Sequence, residues 1–164
     1  MQERRTDEAL SAQHAARRAW RLVLAVASGV ILLDQLTKSW AEAHLAERVV
    51  HLVGSLQLAL AYNHGVAFGL GAGIGPLLVA VAVVGLVVAF AGKHITVSRP
   101  TSVAVGLLLG GAFGNLADRL LRGHGGAVVD FIDLQWWPVF NLADASVVIG
   151  AILFVVINSR KPVE

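Results

Sequence analysis

The chain predicts an all-α integral membrane protein: four transmembrane helices and a small β-sheet lying on one membrane surface. Of its 164 residues, 56% are hydrophobic and only 15% charged, against roughly 25% charged in ordinary soluble domains, and its mean hydropathy is +0.70. A compact body this small would have to expose much of that apolar surface, so its natural solvent is lipid. The apolar residues gather into four stretches, about 22–45, 76–91, 101–121 and 141–158. Each approaches the ~20 residues that a helix needs to cross ~30 Å of hydrocarbon, the second being short. The tryptophans mark the ends of these spans, Trp20 and Trp40 flanking the first and Trp136 with Trp137 preceding the fourth, as indole prefers the headgroup region.

Residues 1–21 are polar, carry Arg4, Arg5, Arg17, Arg18 and Arg21, and form a tail that is partly helical or disordered, outside a membrane-embedded domain over 22–160. The first span is expected to be retained rather than cleaved as a leader. Its apolar run continues through Asp34, Gln35 and Lys38 without a small-residue cleavage site. Nine basic residues lie in this tail, in the 92–100 loop and at the C-terminal end, whereas Lys38, Arg48, Arg119 and Arg122 lie towards the other side. Basic residues stay cytoplasmic, so both termini are expected there. Between the first two spans, Leu56, Leu58 and Leu60 alternate with Gln57, Ala59 and Ala61 up to Tyr62, the period of a half-buried strand, and Asn63-His64-Gly65 is a turn signal. Residues 122–140, with Gly123, Gly125, Gly126 and Pro138, are expected to form a loop over the same outer surface.

The absence of cysteine excludes disulfides, thiol nucleophiles and Cys-based metal sites. The six histidines show no ligand spacing, with His64 and His124 suited to turns, so neither a metal nor another cofactor is expected. No serine has a legible Lys or His partner. The formal charge of +2 and pI near 9.5 come without a basic stripe interleaved with aromatics, so nucleic acid is not an expected partner.

What remains is carboxylate chemistry. The topology brings Asp34, Asp118, Asp130, Asp133 and Asp144 from separate elements to the outer face, and ionisable groups at membrane depth mark sites. Asn115, Asp118 and Arg119 share one helical face, as do Asn141 and Asp144, while Asp34 and Lys38 are an i,i+4 pair. Gly106, Gly110 and Gly114 recur every fourth residue and permit close helix packing. Two adjacent carboxylates share a proton, so that one activates water while the other, protonated, polarises a carbonyl. Asp144, at a helix start that favours an anion, is the first choice for this pair. Spacing leaves Asp118, Asp130 and Asp133 as alternatives for its partner.

Five blocks in order resemble the lipoprotein signal peptidases, or signal peptidase II: Asp34-Gln35-Leu36-Thr37-Lys38, Tyr62-Asn63-His64-Gly65-Val66-Ala67-Phe68, Gly110 to Arg119, Val128-Val129-Asp130-Phe131, and Phe140-Asn141-Leu142-Ala143-Asp144. The resemblance implies a bacterial inner-membrane aspartic endopeptidase with four spans and a periplasmic sheet. It would remove the signal peptide from diacylglyceryl-modified prolipoproteins on the N-terminal side of the modified cysteine. By position it carries the catalytic pair to Asp130 and Asp144 and supporting roles to Asp34, Asn63, Asn115, Arg119 and Asn141, with Lys38 in the first block and Asp118 as a structural partner for Arg119. Asp133 receives no role, and the tail 1–20 lies outside the resemblance. Substrate prolipoprotein and membrane lipid are the implied partners, and a monomer is expected. Residues 55–70 are expected to cradle the lipidated cysteine. The rival readings are a transporter or channel with an acidic vestibule and a helical scaffold.

Overall fold

The computed structural model describes residues 2–65 and 98–159, giving three helices and three strands in the order α1 (Gln2–Leu45), β1 (Val50–Val53), β2 (Leu56–Asn63), α2 (Arg99–Leu121), β3 (Val128–Asp133) and α3 (Leu142–Ser159). The stretch 76–91, expected to be a span, lies outside the described residues. Helix α1 continues through the whole arginine-bearing segment; its 44 residues make it about 66 Å long, roughly twice the hydrocarbon thickness. Segments Leu10–Leu45 and Arg99–Leu121 are long and apolar enough to cross a membrane, and Leu142–Ile157 is a shorter apolar helix.

Helix α2 starts cleanly because Ser98 caps it, its hydroxyl accepting from the Thr101 N–H, with Pro100 in the first turn where no N–H is needed. It lies between α1 and α3 and packs on both. Glycines make the contact close. A Cβ at Gly110 would sit 2.7 Å from Val30 Cβ and 2.9 Å from the Ala27 carbonyl, and one at Gly114 would sit 2.8 Å from an Asp34 oxygen. The repeat Gly106, Gly110, Gly114 therefore admits α1 against α2 along its length. Val23, Ala27, Val105 and Leu109 form the core of that contact.

The sheet has the order β1-β2-β3, antiparallel throughout. Its first hairpin turns at Gly54, whose φ of 57° only glycine adopts cheaply. The alternation over Leu56–Tyr62 is realised as β2. The segment 122–140 is not a loop throughout: Val128–Asp133 pairs with β2, opposing Asp130 to Ala61 and Val128 to Asn63. Phe131 then packs on Ala41 and Leu45, seating the sheet on the end of α1. The chain beyond β3 folds back on itself, Phe140 exchanging backbone hydrogen bonds with Ile132, and this return sets Asn141 beside Asp130.

Exposure is inverted relative to a soluble protein. Leu24, Leu32, Leu33 and Leu36 on α1 and Val148, Ile149, Ile152 and Val155 on α3 are more than half exposed, whereas Asp34, Lys38, Asp118 and Asn141 are fully buried. Such a surface belongs in lipid, with polar groups facing the bundle interior. All four tryptophans are exposed, Trp136 at 71%, as the membrane interface requires.

Candidate active site

The site forms where the C-terminal ends of α1 and α2 meet β3 and the start of α3. Asn141 caps α3: its Oδ1 accepts from the Asp144 N–H at 2.9 Å, and the Asp144 carboxylate accepts from the Asn141 N–H at 3.3 Å. This reciprocal box places Asp144 in the first turn and fixes its χ angles. The Nδ2 of Asn141 is thereby free for β3, and donates to Asp130 Oδ1 at 2.7 Å. One residue thus holds both carboxylates, Asp130 by its side-chain amide and Asp144 by its backbone N–H. Asn63, at the end of β2, donates to the other Asp130 oxygen at 3.0 Å, and its own Oδ1 is fixed by the Gly65 N–H at 2.8 Å. Asn115 of α2 donates to Asp144 Oδ1 at 2.8 Å.

Beneath the pair lies a buried ionic hub. Lys38 spends its three N–H bonds on Asp34 at 2.8 Å, Asp118 at 2.8 Å and Asn115 Oδ1 at 2.9 Å. Asp34 also accepts from the Ala143 N–H at 3.0 Å, so α1 grips the start of α3. Asp118 accepts from the Val129 N–H at 3.0 Å, so α2 grips β3 next to Asp130. Each bond ties a different element to the site. Among the described residues no buried side-chain nitrogen or oxygen lacks a partner, the condition under which buried ions persist.

The environments of the two carboxylates differ. Asp130 is 2% exposed, and burial, reinforced by the negative charge of Asp144, pushes its carboxyl up to about 6 despite the amides of Asn63 and Asn141. Asp144 is only partly buried and lines an apolar cavity of about 450 Å³ together with Trp136, Trp137, Phe140, Val148 and Ile149. A buried carboxyl next to a more accessible one is an arrangement in which the two can take separate acid and base roles towards water and a carbonyl.

Asp34, Lys38, Asn63, Asn115, Asp118 and Asn141, all candidates from the sequence, converge here on Asp130 and Asp144. Two expectations change. The partners of Asp118 are Lys38 and Arg122, the latter at 3.0 Å, rather than Arg119, because a residue four positions along shares its helical face and an adjacent one does not. Arg119 is half-buried and, among the described residues, makes no hydrogen bond or ion pair. Asp133 stands away from the pair: three positions along a strand puts it on the opposite face from Asp130. It accepts from Gln57 at 2.7 Å and from the Gln135 N–H at 2.7 Å, holding Gln135 in a turn at φ 68°, and these bonds hold its carboxyl below the usual range.

Gln35, Arg122, Glu42 and His124 are further members of the network that residue type alone does not select. Gln35 donates to Asp118 at 2.8 Å and to the Gly114 carbonyl at 3.2 Å. Arg122 pairs with Glu42, which also meets His124 at 2.6 Å. The i,i+4 spacing of Asp118 and Arg122 was the available signal.

Known proteins resemble this chain in sequence and in overall fold. The family model described as signal peptidase (SPase) II matches residues 26–159. Lipoprotein signal peptidases from Rhodococcus jostii and Mycobacterium leprae are 46% and 41% identical over 88% and 86% of this chain, covering 80% and 73% of their own lengths. A solved bacterial membrane enzyme superposes with a TM-score of 0.73 at 28% identity, over 85% of this chain and 94% of that one.

Proposed function

This chain belongs to the signal peptidase II family, a family of proteases, and from that premise we propose that an Asp130–Asp144 pair cuts the signal peptide from diacylglyceryl-modified prolipoproteins. The observation that carries the reading is Asn141, whose side-chain amide donates to the Asp130 carboxylate from β3 and whose backbone N–H donates to the Asp144 carboxylate in the first turn of α3. Asp144, anionic at a helix N-terminus, takes a proton from water as the hydroxyl attacks the scissile carbonyl. Asp130, protonated, donates to the carbonyl oxygen as it becomes tetrahedral. Collapse then expels the amine, which leaves with the proton gathered by Asp144, while a hydroxyl of the tetrahedral intermediate returns its proton to Asp130 as the carbonyl re-forms, so the pair regains its single proton. Cleavage falls on the N-terminal side of the lipid-modified cysteine, which becomes the new N-terminus.

The surrounding residues divide the remaining work. Asn63, Asn115 and Asn141 orient the pair, while Asp34, Lys38 and Asp118 lock the elements that bear it. Arg119, with no ion pair among the described residues, is available to hold a substrate carbonyl, a role the family resemblance also implies. Four spans in the bacterial inner membrane, with cytoplasmic termini, the tail 1–21 outside the domain 22–160, and the site at the periplasmic face of a monomer complete the proposal. The exposed apolar faces of α1 and α3 favour the membrane setting, and the sheet beside the site suits a cradle for the lipidated cysteine. A metal or other cofactor plays no part in the proposed steps.

The test is incubation of purified protein in detergent with a precursor bearing, or lacking, the diacylglyceryl group. Cleavage of the modified precursor alone, leaving modified cysteine at the new N-terminus by mass spectrometry, is the expected result. Absence of cleavage, with ion or solute flux instead, would favour the acidic-vestibule reading.

A further inference from the structure

We propose that Lys38 is a positioning residue for catalysis: its ammonium fixes the orientation of the Asn115 amide and thereby holds Asp144 as the water-activating carboxylate. The inference rests on the reading of Asp130 and Asp144 as the reacting pair.

An ammonium group only donates. Its third N–H lies 2.9 Å from Asn115, so Asn115 must present its oxygen to Lys38 and hence its NH2 to Asp144, 2.8 Å away. The other end of the chain of amides is fixed in the same sense. The Asp144 backbone N–H, also donor-only, demands the oxygen of Asn141, which turns the Asn141 NH2 towards Asp130 and towards Asn115 Oδ1 at 3.1 Å. Every amide between Lys38 and the pair therefore has one permitted orientation, and both carboxylates face donors. Without Lys38, only the longer 3.1 Å bond from Asn141 Nδ2, shared with Asp130 and the Val129 carbonyl, still holds the Asn115 oxygen, so the hold on Asn115 weakens and its carbonyl can turn to Asp144, an arrangement that suits a protonated carboxyl and repels an anion.

Charge balance alone does not account for Lys38. The charged groups facing this region are Asp34 and Lys38 from α1, Asp118 from α2 and Arg122 just beyond its end, Asp130 from β3 and Asp144 from α3, with Glu42 and His124 at the outer edge. Asp34 and Asp118 are offset by Lys38 and Arg122. A variant that removes one charge of each sign, Lys38→Met with Asp34→Asn, keeps that balance, and the amide introduced in place of the Asp34 carboxylate retains an oxygen for the Ala143 N–H. Besides the Lys38 bonds to positions 34 and 118, it loses the donor that orients Asn115.

The experiment compares this double variant with wild type in thermal unfolding and in cleavage of diacylglyceryl-modified precursor across pH. The proposal predicts a folded protein whose kcat falls about 10- to 100-fold while KM stays within about threefold, with the acidic side of its activity profile displaced upward by about one pH unit or more. A folded variant with unaltered kcat and pH profile overturns it, since a purely structural lysine would give that result. Should the double variant fail to fold, Asn115→Leu removes the NH2 donor to Asp144 without adding a charge beside it. The same upward displacement is then expected, and a wild-type profile overturns the proposal. Asp144→Asn, run in parallel, separates the two failures: full activity there removes the reacting pair itself, whereas inactivity there with an unaltered Lys38 variant removes only the role of Lys38.

Discussion

Asn141 does two jobs with two atoms, and substitution separates them. Its oxygen caps α3 through the Asp144 N–H at 2.9 Å, and its nitrogen holds Asp130 at 2.7 Å. Serine is as good a cap as asparagine, whereas alanine at a cap costs about 1 kcal/mol, range 0.5–2. Neither replacement donates to Asp130. That hydrogen bond runs to a fully buried acid and is charge-assisted whenever Asp130 ionises, worth about 1.5–3 kcal/mol, or about 10- to 100-fold in rate if it is lost in the transition state. Asn141→Ser and Asn141→Ala should therefore share a kcat about 10- to 100-fold below wild type, while Asn141→Ala alone shows the further loss of about 1 kcal/mol in stability. Thermal unfolding in detergent and cleavage of a lipidated precursor measure the two quantities. Full activity in Asn141→Ser, or equal stability of the two variants, would refute this division of labour.

Helix packing makes a second contrast: Gly110→Ala drives a Cβ into Val30 and the Ala27 carbonyl, at 2.7 and 2.9 Å, and should cost about 1–3 kcal/mol. Gly29→Ala meets nothing within 4 Å and should stabilise α1 by about 0.5–1 kcal/mol; both are read by thermal unfolding, and the reverse order would count against the packing. The Asp130 carboxyl, pushed up by burial and by Asp144 to about 6, favours its neutral form in the folded protein. Its contribution to stability is complete below the ordinary carboxylate range and disappears as pH rises through about 6. Infrared titration should follow its protonated band, and Asp144→Asn, which removes a like charge, should move that loss to lower pH; an upward move would contradict the assignment. Asp133→Asn, on the opposite strand face, should leave kcat within about twofold of wild type in the same cleavage assay.

The parts of the fold written as periodicity were legible. The strand over Leu56–Asn63 follows from leucines at alternate positions, and α2 follows from an apolar run begun by Ser98 and Pro100. Strand β3 was not legible, because Val128, Val129, Asp130 and Phe131 are all buried: one face meets the site and the other packs on α1, so no alternation survives. The partner of Asp144 was hidden for the same reason. Spacing left Asp118, Asp130 and Asp133 open, and the family resemblance singled out Asp130. What sets Asp130 beside Asn141 is the return of the chain through Phe140 onto Ile132, a pairing between segments that no local pattern records. Asp118 was legible as part of the site but not in its partners, since Lys38 reaches it from another helix and Arg122 lies just past the end of its own. The helical course of residues 2–21 is likewise a continuation of α1, in a segment whose charge says more about membrane side than about conformation.

The central claim is that two particular carboxylates perform the hydrolysis, and it is tested most directly by single-turnover cleavage of a diacylglyceryl-modified precursor with Asp130→Asn and Asp144→Asn, each shown to be folded. Because each member has its own role in every turnover, one as acid and one as base, each single variant should lose at least about 1,000-fold in rate. Cleavage at the wild-type rate by either folded variant would contradict the account.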